Sequence, residues 1–191
     1  MFGSKKMLAL AGATAAIAFG ALAFALSTSK ASADPASTPI PNELIDYPAF
    51  KRIVVQAEGP REQSRLSEAD FLAAMKEPTT ILLDARSATA FDLRHISGAV
   101  NLPYTDWSEG ALGKVVPSKD TKVLIYCNNN FLGSQRSFAT KAAPASLNLL
   151  SFTSLIAYGY TNIYELGPVL STDTTLLPFS GTEVESTPVF D

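Results

Sequence analysis

The segment KVLIY, residues 122–126, is the strongest signal for a buried strand in this chain of 191 residues. Its four apolar residues in succession are too few for a helix, and they are typical of a strand in a parallel sheet that is covered on both faces. A polar stretch follows at once, and it begins with Cys127, the only cysteine of the chain. We therefore expect a central strand that ends at Cys127.

Short apolar runs alternate with helical patterns on both sides of this strand. The strand-like runs are TTILLDAR (79–86), GAVNLP (98–103) and TNIYELGP (161–168). The helical patterns are SRLSEADFLAAMKEP (64–78), SATAFDLRH (87–95), DWSEGALGKVV (106–116) and SFTSLIAYG (151–159). Ser67 is the expected N-cap of the first of these helices. The alternation predicts an α/β domain with a mostly parallel sheet and helices on both faces.

The first 33 residues are typical of an export signal. Lys5 and Lys6 precede twenty uncharged residues, 7–26, and the sequence ASA at 31–33 is the small-x-small pattern that a signal peptidase recognises. We predict cleavage just before Asp34. The alternative is a membrane anchor, because a helix of twenty residues is about 30 Å long, enough to cross a bilayer. In both cases the two lysines stay inside, and the body is periplasmic or otherwise exported to the bacterial cell envelope.

Residues 34–60 are expected to form a Pro-containing N-terminal arm, and the four prolines within residues 34–48 predict an extended segment there. The mature chain of 158 residues has the length of one domain of ordinary size. After cleavage, 12 basic and 18 acidic residues remain, a net charge of −6. Such a chain is a poor partner for nucleic acids, and it would touch a membrane only through an uncleaved N-terminal segment.

Cys127 has the position of a functional residue, because ligands of open α/β sheets bind beyond the carboxyl ends of the strands. The loop amides and the start of the next helix are expected to favour the thiolate over the thiol. Asn128, Asn129 and Asn130 tolerate left-handed backbone conformations, in which successive N–H groups converge on one point. The alternative is a small, inert core residue. One cysteine and one histidine provide no disulfide, no C-x-x-C couple and no metal site, and we expect no cofactor.

Three pieces in order, LLDARSATAFDLRHISGAVNLP (82–103), LIYC (124–127) and GYTNIYEL (159–166), resemble a rhodanese-like domain. The resemblance covers about residues 61–170, a rhodanese-like domain, and leaves residues 171–191 as a C-terminal tail. It implies a five-stranded parallel sheet with helices on both faces and a short first strand near Arg65 and Leu66. It also implies that the cysteine after the fourth strand, here Cys127, is catalytic and carries a persulfide during sulfur transfer.

Other residues match family elements with structural roles. Asp84 and Arg86 match the D-x-R element, and His95 with Gly98 matches the H-I-x-G-A turn, so the resemblance implies that they hold the structure together. For His95 we expect a structural hydrogen bond rather than general-base chemistry, because transfer of this type uses a preformed thiolate.

The loop after Cys127 differs from the C-x-x-G-x-R-S pattern of compact family members. Leu132 stands where that pattern has its arginine, and the sequence from Gly133 to Arg136 and Ser137 resembles the rest of the pattern, displaced toward the carboxyl end. A stretch like an insertion, residues 140–150, then precedes the next helix. We therefore predict a longer, wider loop. Its expected substrate-binding residues are Asn128, Asn129, Asn130, Phe131, Leu132, Gly133 and Arg136.

Three functions follow from these observations. The first is an exported sulfurtransferase that passes sulfane sulfur through Cys127 from a small donor to a small acceptor, such as cyanide or a thiol, or to a protein thiol. The second is a non-catalytic module whose rhodanese-like body, with its arm and tail, binds another envelope protein, so that Cys127 would be dispensable. The third, least favoured, is oxyanion binding or hydrolysis. The related phosphatases use C-x5-R, and Gly133 replaces that arginine, so phosphatase chemistry is disfavoured. A persulfide on the purified protein would separate the first function from the second.

Overall fold

The computed structural model describes residue 40 and residues 42–185. The predicted export signal, its cleavage site and the first part of the predicted arm lie outside the described residues, and so do the last six residues of the tail. Among the described residues, no helix combines the length and the apolar character that a bilayer span requires. The residues from Asn42 onward form one unit, which holds the sheet and the site.

Six α-helices and nine strands are found in the described residues, together with short 3-10 turns at Tyr104–Asp106, Asn128–Asn130 and Ala143–Ala145. The helices are α1 (Tyr47–Gln63), α2 (Glu68–Met75), α3 (Ala88–Leu93), α4 (Glu109–Val115), α5 (Leu147–Ala157) and α6 (Thr182–Glu185). The strands are β1 (Arg65–Leu66), β2 (Ile81–Asp84), β3 (His95–Ile96), β4 (Val100–Asn101), β5 (Val123–Tyr126), β6 (Phe131–Leu132), β7 (Ile163–Leu166), β8 (Leu170–Ser171) and β9 (Phe179–Ser180).

The main sheet has five parallel strands in the order β1-β7-β5-β2-β4. Strand β5 is central and all four of its residues are buried, as its continuous apolar sequence predicts. One face packs against α1, α4 and α5, where Ile125 contacts a cluster that includes Leu112 and Phe152. The other face packs against α2, where Leu124 and Tyr126 join a cluster around Phe71. The expected α/β fold, a five-stranded parallel sheet with helices on both faces, is confirmed.

The segment 47–60, predicted as part of an extended arm, forms most of helix α1. The Asp46 side chain caps this helix by accepting a hydrogen bond from Ala49 N at 2.8 Å. Pro48 stands in the first turn, where a missing N–H leaves no helical hydrogen bond unmade. The helix buries Ala57 and packs on α5. Pro48, one of the prolines that predicted an extended segment, thus lies in the first turn of a helix.

The segment 171–185, predicted as part of a tail, is folded onto the domain. Strand β8 pairs with β6, and β9 pairs with β3 in the antiparallel direction. The ring of Phe179 packs 5.2 Å from that of Phe131 and 5.8 Å from that of Phe138, measured between centroids. This segment therefore covers apolar side chains that would otherwise face water, which is the reason it does not extend as a free tail.

Candidate active site

Cys127 is the first residue after β5, at the carboxyl edge of the sheet, as predicted. Only 1% of its surface is exposed, although a reactive cysteine was expected to be accessible. It lines a cavity of about 280 Å³. That cavity is the route by which a small molecule could contact Sγ.

Helix α5 begins beside Cys127. Its N-cap residue, Ser146, makes no side-chain capping bond; its Oγ lies instead 3.4 Å from Cys127 Sγ. The helix starts at Leu147, four residues earlier than the predicted segment 151–159, and this extension brings its amino end to the cysteine. The amino end of a helix carries partial positive charge, and the Ser146 hydroxyl lies within hydrogen-bond distance of the sulfur.

The three asparagines after Cys127 fix the shape of the turn. They form a single 3-10 turn and not the predicted left-handed cradle; among the described non-glycine residues only Thr79 has a positive φ. The Asn130 side chain accepts from Cys127 N at 2.9 Å and donates to Leu166 O and Pro168 O, which ties the turn to the end of β7. Because the Cys127 amide is bonded to this side chain, it does not point at the sulfur.

The other two asparagines point to different places. Asn129 bonds the backbone of Lys141 through both ends of its amide, at 2.8 and 2.9 Å. Asn129 and Asn130 line the Cys127 cavity, whereas Asn128 lines a separate cleft of about 600 Å³.

The structure does not bring the remaining predicted loop residues to Cys127. Phe131 is buried in the α2-side core, and Leu132 is exposed on β6. Gly133 has a φ of +107°, and an added Cβ there would lie 2.4 Å from Thr172 Oγ1. The Arg136 side chain is 78% exposed and lies 3.8 Å from Glu183. None of these four residues lines the cavity of Cys127.

Asp84 and Arg86 form a fully buried ion pair at the end of β2. Arg86 Nη2 lies 2.5 Å from Asp84 Oδ2, and Nη1 donates to Ser137 O at 2.7 Å. Burial lowers the pKa of Arg86, but the hydrogen bond and the charge of Asp84 outweigh it and raise the pKa above its usual value. Burial, followed by the charge of Asp84, raises the pKa of Tyr126 well above its usual value. Neither member of the pair lines the cavity of Cys127.

His95 is placed for a structural role. Its Nδ1 donates to the Phe91 carbonyl at 2.8 Å, and its ring stacks on the Phe91 ring with 3.7 Å between centroids. It does not line the cavity of Cys127.

Three charged residues of the cavity were missed as site residues. Arg61 at the end of α1, Arg65 in β1 and Glu165 in β7 line the same cavity as Cys127. Arg61 Nη2 and Arg65 Nε both contact Glu165 Oε1, at 2.6 and 3.2 Å. Burial raises the pKa of Glu165, although the charges of both arginines oppose this effect.

The register of the sheet explains why Glu165 and Cys127 line the same cavity. Glu165 is paired with Ile125, and side chains of a strand alternate between faces, so Ile125, Cys127 and Glu165 lie on the same face. One signal was available in the sequence: a glutamate stands inside the apolar run NIYEL of a strand that is expected to be buried on both faces. A buried carboxylate requires a partner, and the arginines at 61 and 65 provide it.

A family model for the rhodanese-like domain matches residues 67–167, more than half of the chain. None of the curated proteins matches. Similar solved structures include the rhodanese-like domain of an Anabaena protein, with 18% identity over 67% of this chain and 86% of that one and a TM-score of 0.46. A Bacillus halodurans protein is 17% identical over 60% and 74%, with a TM-score of 0.40. An E. coli rhodanese with anions is 17% identical over 54% and 99%, with a TM-score of 0.33.

Three findings agree with one another. A family model matches more than half of the chain, the main sheet has five parallel strands, and Cys127 follows β5, which is the fourth of these strands in chain order. Arg61 and Arg65 lie before the matched residues. The chain belongs to the rhodanese-like domain family.

Proposed function

We propose that this protein is a sulfurtransferase that carries sulfane sulfur as a persulfide on Cys127. One observation carries the proposal: Sγ lines a small cavity at the amino end of α5, with Ser146 Oγ at 3.4 Å and two guanidinium groups on the same cavity. A thiolate is the nucleophile in this chemistry, and the Ser146 hydroxyl can donate a hydrogen bond to it.

The reaction has two half-steps. In the first, the Cys127 thiolate attacks the sulfane sulfur of a small donor; the new S–S bond forms as the donor's own bond to that sulfur breaks, and the rest of the donor leaves as an anion. In the second, an acceptor thiolate attacks the outer sulfur of the persulfide, and Cys127 leaves as a thiolate. The persulfide anion keeps its negative charge near the Ser146 hydroxyl and the helix start, which stabilise it. No base is required, so His95 has no part in either step.

Steady-state transfer of sulfur from thiosulfate or a persulfide donor to a small thiol tests the proposal. We expect Cys127→Ser to remain folded and to lose transfer, because a hydroxyl stays protonated near neutral pH. We expect Ser146→Ala to slow the loading of Cys127 several-fold without changing the fold, because it removes the one side chain that is hydrogen-bonded to Sγ. Undiminished transfer by the serine variant would refute the proposal.

The burial of Cys127 favours a second candidate, a rhodanese-like module that binds another protein and has no catalytic role. Much of its proposed docking surface is occupied, since helix α1 and the segment 171–185 pack on the domain itself. Such a module would bind its partner equally well after Cys127→Ser, and the purified protein would not load sulfur.

Export to the periplasm or another part of the cell envelope belongs to this proposal. Its support is the sequence of residues 1–33, which predicts a mature chain that begins at Asp34. Sequencing the amino terminus of the protein from the envelope fraction tests it. A membrane-bound chain that still contains residues 7–26 would support the anchor alternative.

A further inference from the structure

The cavity beside Cys127 contains buried polar atoms that lack partners. Glu165 is 1% exposed; both arginines contact its Oε1, and its Oε2 has no hydrogen bond. Asn148 is 5% exposed, and its Oδ1 has none either. Arg61 Nε is a third such atom. In the part of the chain that the structure describes, five buried side-chain atoms lack partners, and these three belong to residues that line this one cavity.

Unpaired buried polar atoms are costly, and their concentration in one cavity indicates a ligand that completes them. Glu165 Oε2 and Asn148 Oδ1 accept hydrogen bonds, and Glu165 brings negative charge, so they match an ammonium group. Arg61 Nε donates, and the guanidinium of Arg65 is partly exposed, so the two arginines match a carboxylate. One small ligand that carries both groups is an amino acid.

The cavity also limits the size of the ligand. Its volume of about 280 Å³ lies at or below the low end of ligand pockets, and it suits a molecule of amino-acid size better than a peptide. Cys127 lines the same cavity, so a thiol bound there would lie near the residue that carries the persulfide.

We propose that the cavity formed by Arg61, Arg65, Asn148 and Glu165 is an acceptor site that recognises the ammonium and carboxylate groups of a small amino-acid thiol. The proposal rests on the sulfurtransferase function of Cys127. In the step it describes, the thiolate of the acceptor attacks the outer sulfur of the Cys127 persulfide. The S–S bond to Sγ breaks, the outer sulfur leaves with the acceptor as a persulfide anion, and Cys127 is regenerated as a thiolate.

Acceptors that lack one of these groups fit less well. An oxyanion brings only hydrogen-bond acceptors, leaves Glu165 Oε2 and Asn148 Oδ1 unpaired, and adds negative charge beside the Glu165 carboxylate. A neutral thiol completes none of the charged contacts. The site therefore discriminates through the groups that a wrong ligand leaves unpaired.

The test loads Cys127 with sulfur and then measures single-turnover transfer to four small thiols at equal thiolate concentration. They are L-cysteine, cysteamine without the carboxylate, thioglycolate without the ammonium, and 2-mercaptoethanol without either. We expect L-cysteine to react at least about tenfold faster than 2-mercaptoethanol, the ratio that one hydrogen bond to a charged group provides. Glu165→Gln should lower the rates of L-cysteine and cysteamine at least several-fold relative to the rate of 2-mercaptoethanol in the same variant.

Glu183→Gln is the matched control, because Glu183 is also a glutamate that contacts arginines, but it does not line this cavity. It should leave all four rates unchanged. If Glu165→Gln does not fold, Asn148→Ala tests the same ammonium contact. S-methyl-L-cysteine, which cannot accept sulfur, should slow alkylation of unloaded Cys127, whereas 2-(methylthio)ethanol should not.

The outcomes separate the two proposals. Failure of Cys127 to load sulfur would refute the sulfurtransferase function, and the alkylation experiment would still report on the binding site. Normal loading with equal rates for all four thiols, and no protection by S-methyl-L-cysteine, would overturn only the acceptor site and would mean that water alone fills the cavity.

Discussion

Replacing Asp84 by asparagine tests whether the buried pair with Arg86 is structural. The substitution keeps the shape but removes the charge that compensates Arg86, and both side chains are inaccessible to water. Breaking a buried pair by removing one partner costs about 3–5 kcal/mol, because the remaining charge stays buried without compensation. For a domain of this size each kcal/mol corresponds to about 2–4 °C, so the melting temperature should fall by about 6–20 °C.

The assay is urea unfolding followed by the fluorescence of Trp107, the only tryptophan of the chain. Glu77→Gln is the matched control, because Glu77 forms an ion pair with Lys122 that is accessible to water. An exposed pair contributes only about 0–1 kcal/mol. Sulfur loading of Cys127 in Asp84→Asn, measured well below its melting temperature, should stay near that of the wild type. A loss of stability no larger than that of the control, or a folded variant that does not load sulfur, would refute the structural role.

Three further predictions concern the turn, the histidine and the buried glutamate. Gly133→Ala should cost about 1–3 kcal/mol in the free energy of unfolding, because of its positive φ and the contact with Thr172, whereas Gly113→Ala in α4 should be neutral or stabilising by up to about 1 kcal/mol. His95→Ala should lower the free energy of unfolding by about 1–3 kcal/mol through its lost backbone partner, with sulfur transfer retained; a variant with unchanged melting temperature and no transfer would make the histidine catalytic. Because burial raises the pKa of Glu165 above its usual 4.5, the folded state holds this proton more tightly than the unfolded state. The stabilisation from this proton is therefore present below pH 4.5 and is lost as the pH rises through the folded pKa. The free energy of unfolding of the wild type should therefore decline over this pH range relative to that of Glu165→Gln. The same pH dependence in both proteins would contradict the raised pKa.

The sheet could be predicted from the sequence because each strand and helix carries its own local pattern. The run KVLIY is apolar without interruption, and the central strand β5 is buried on both faces. Ser67 caps α2 as expected, through a hydrogen bond from Asp70 N. The position of Cys127 follows from this topology, since a residue after a central parallel strand reaches the carboxyl edge of the sheet.

The cavity could not be predicted, because residues far apart in the chain form it. Arg61 and Glu165 are 104 positions apart, and they meet because α1 packs on the sheet near the pairing of β1 with β7. The prolines of residues 34–48 suggested an extended segment, so helix α1, which holds Arg61 beside Glu165, was not predicted. The family pattern suggested that the loop would wrap around Cys127, but Gly133 turns the chain toward Thr172 and places Arg136 near Glu183.

The most direct test of the central claim is the intact mass of the protein in a single turnover, with the modified peptide located by fragmentation. After incubation with a sulfane-sulfur donor and removal of the excess, the account predicts the gain of one sulfur atom on the peptide that contains Cys127. It predicts loss of that sulfur when an acceptor thiol is added, and no gain in a folded Cys127→Ser variant. An unmodified Cys127 under conditions in which a known rhodanese loads completely, or sulfur found equally on the serine variant, would contradict it.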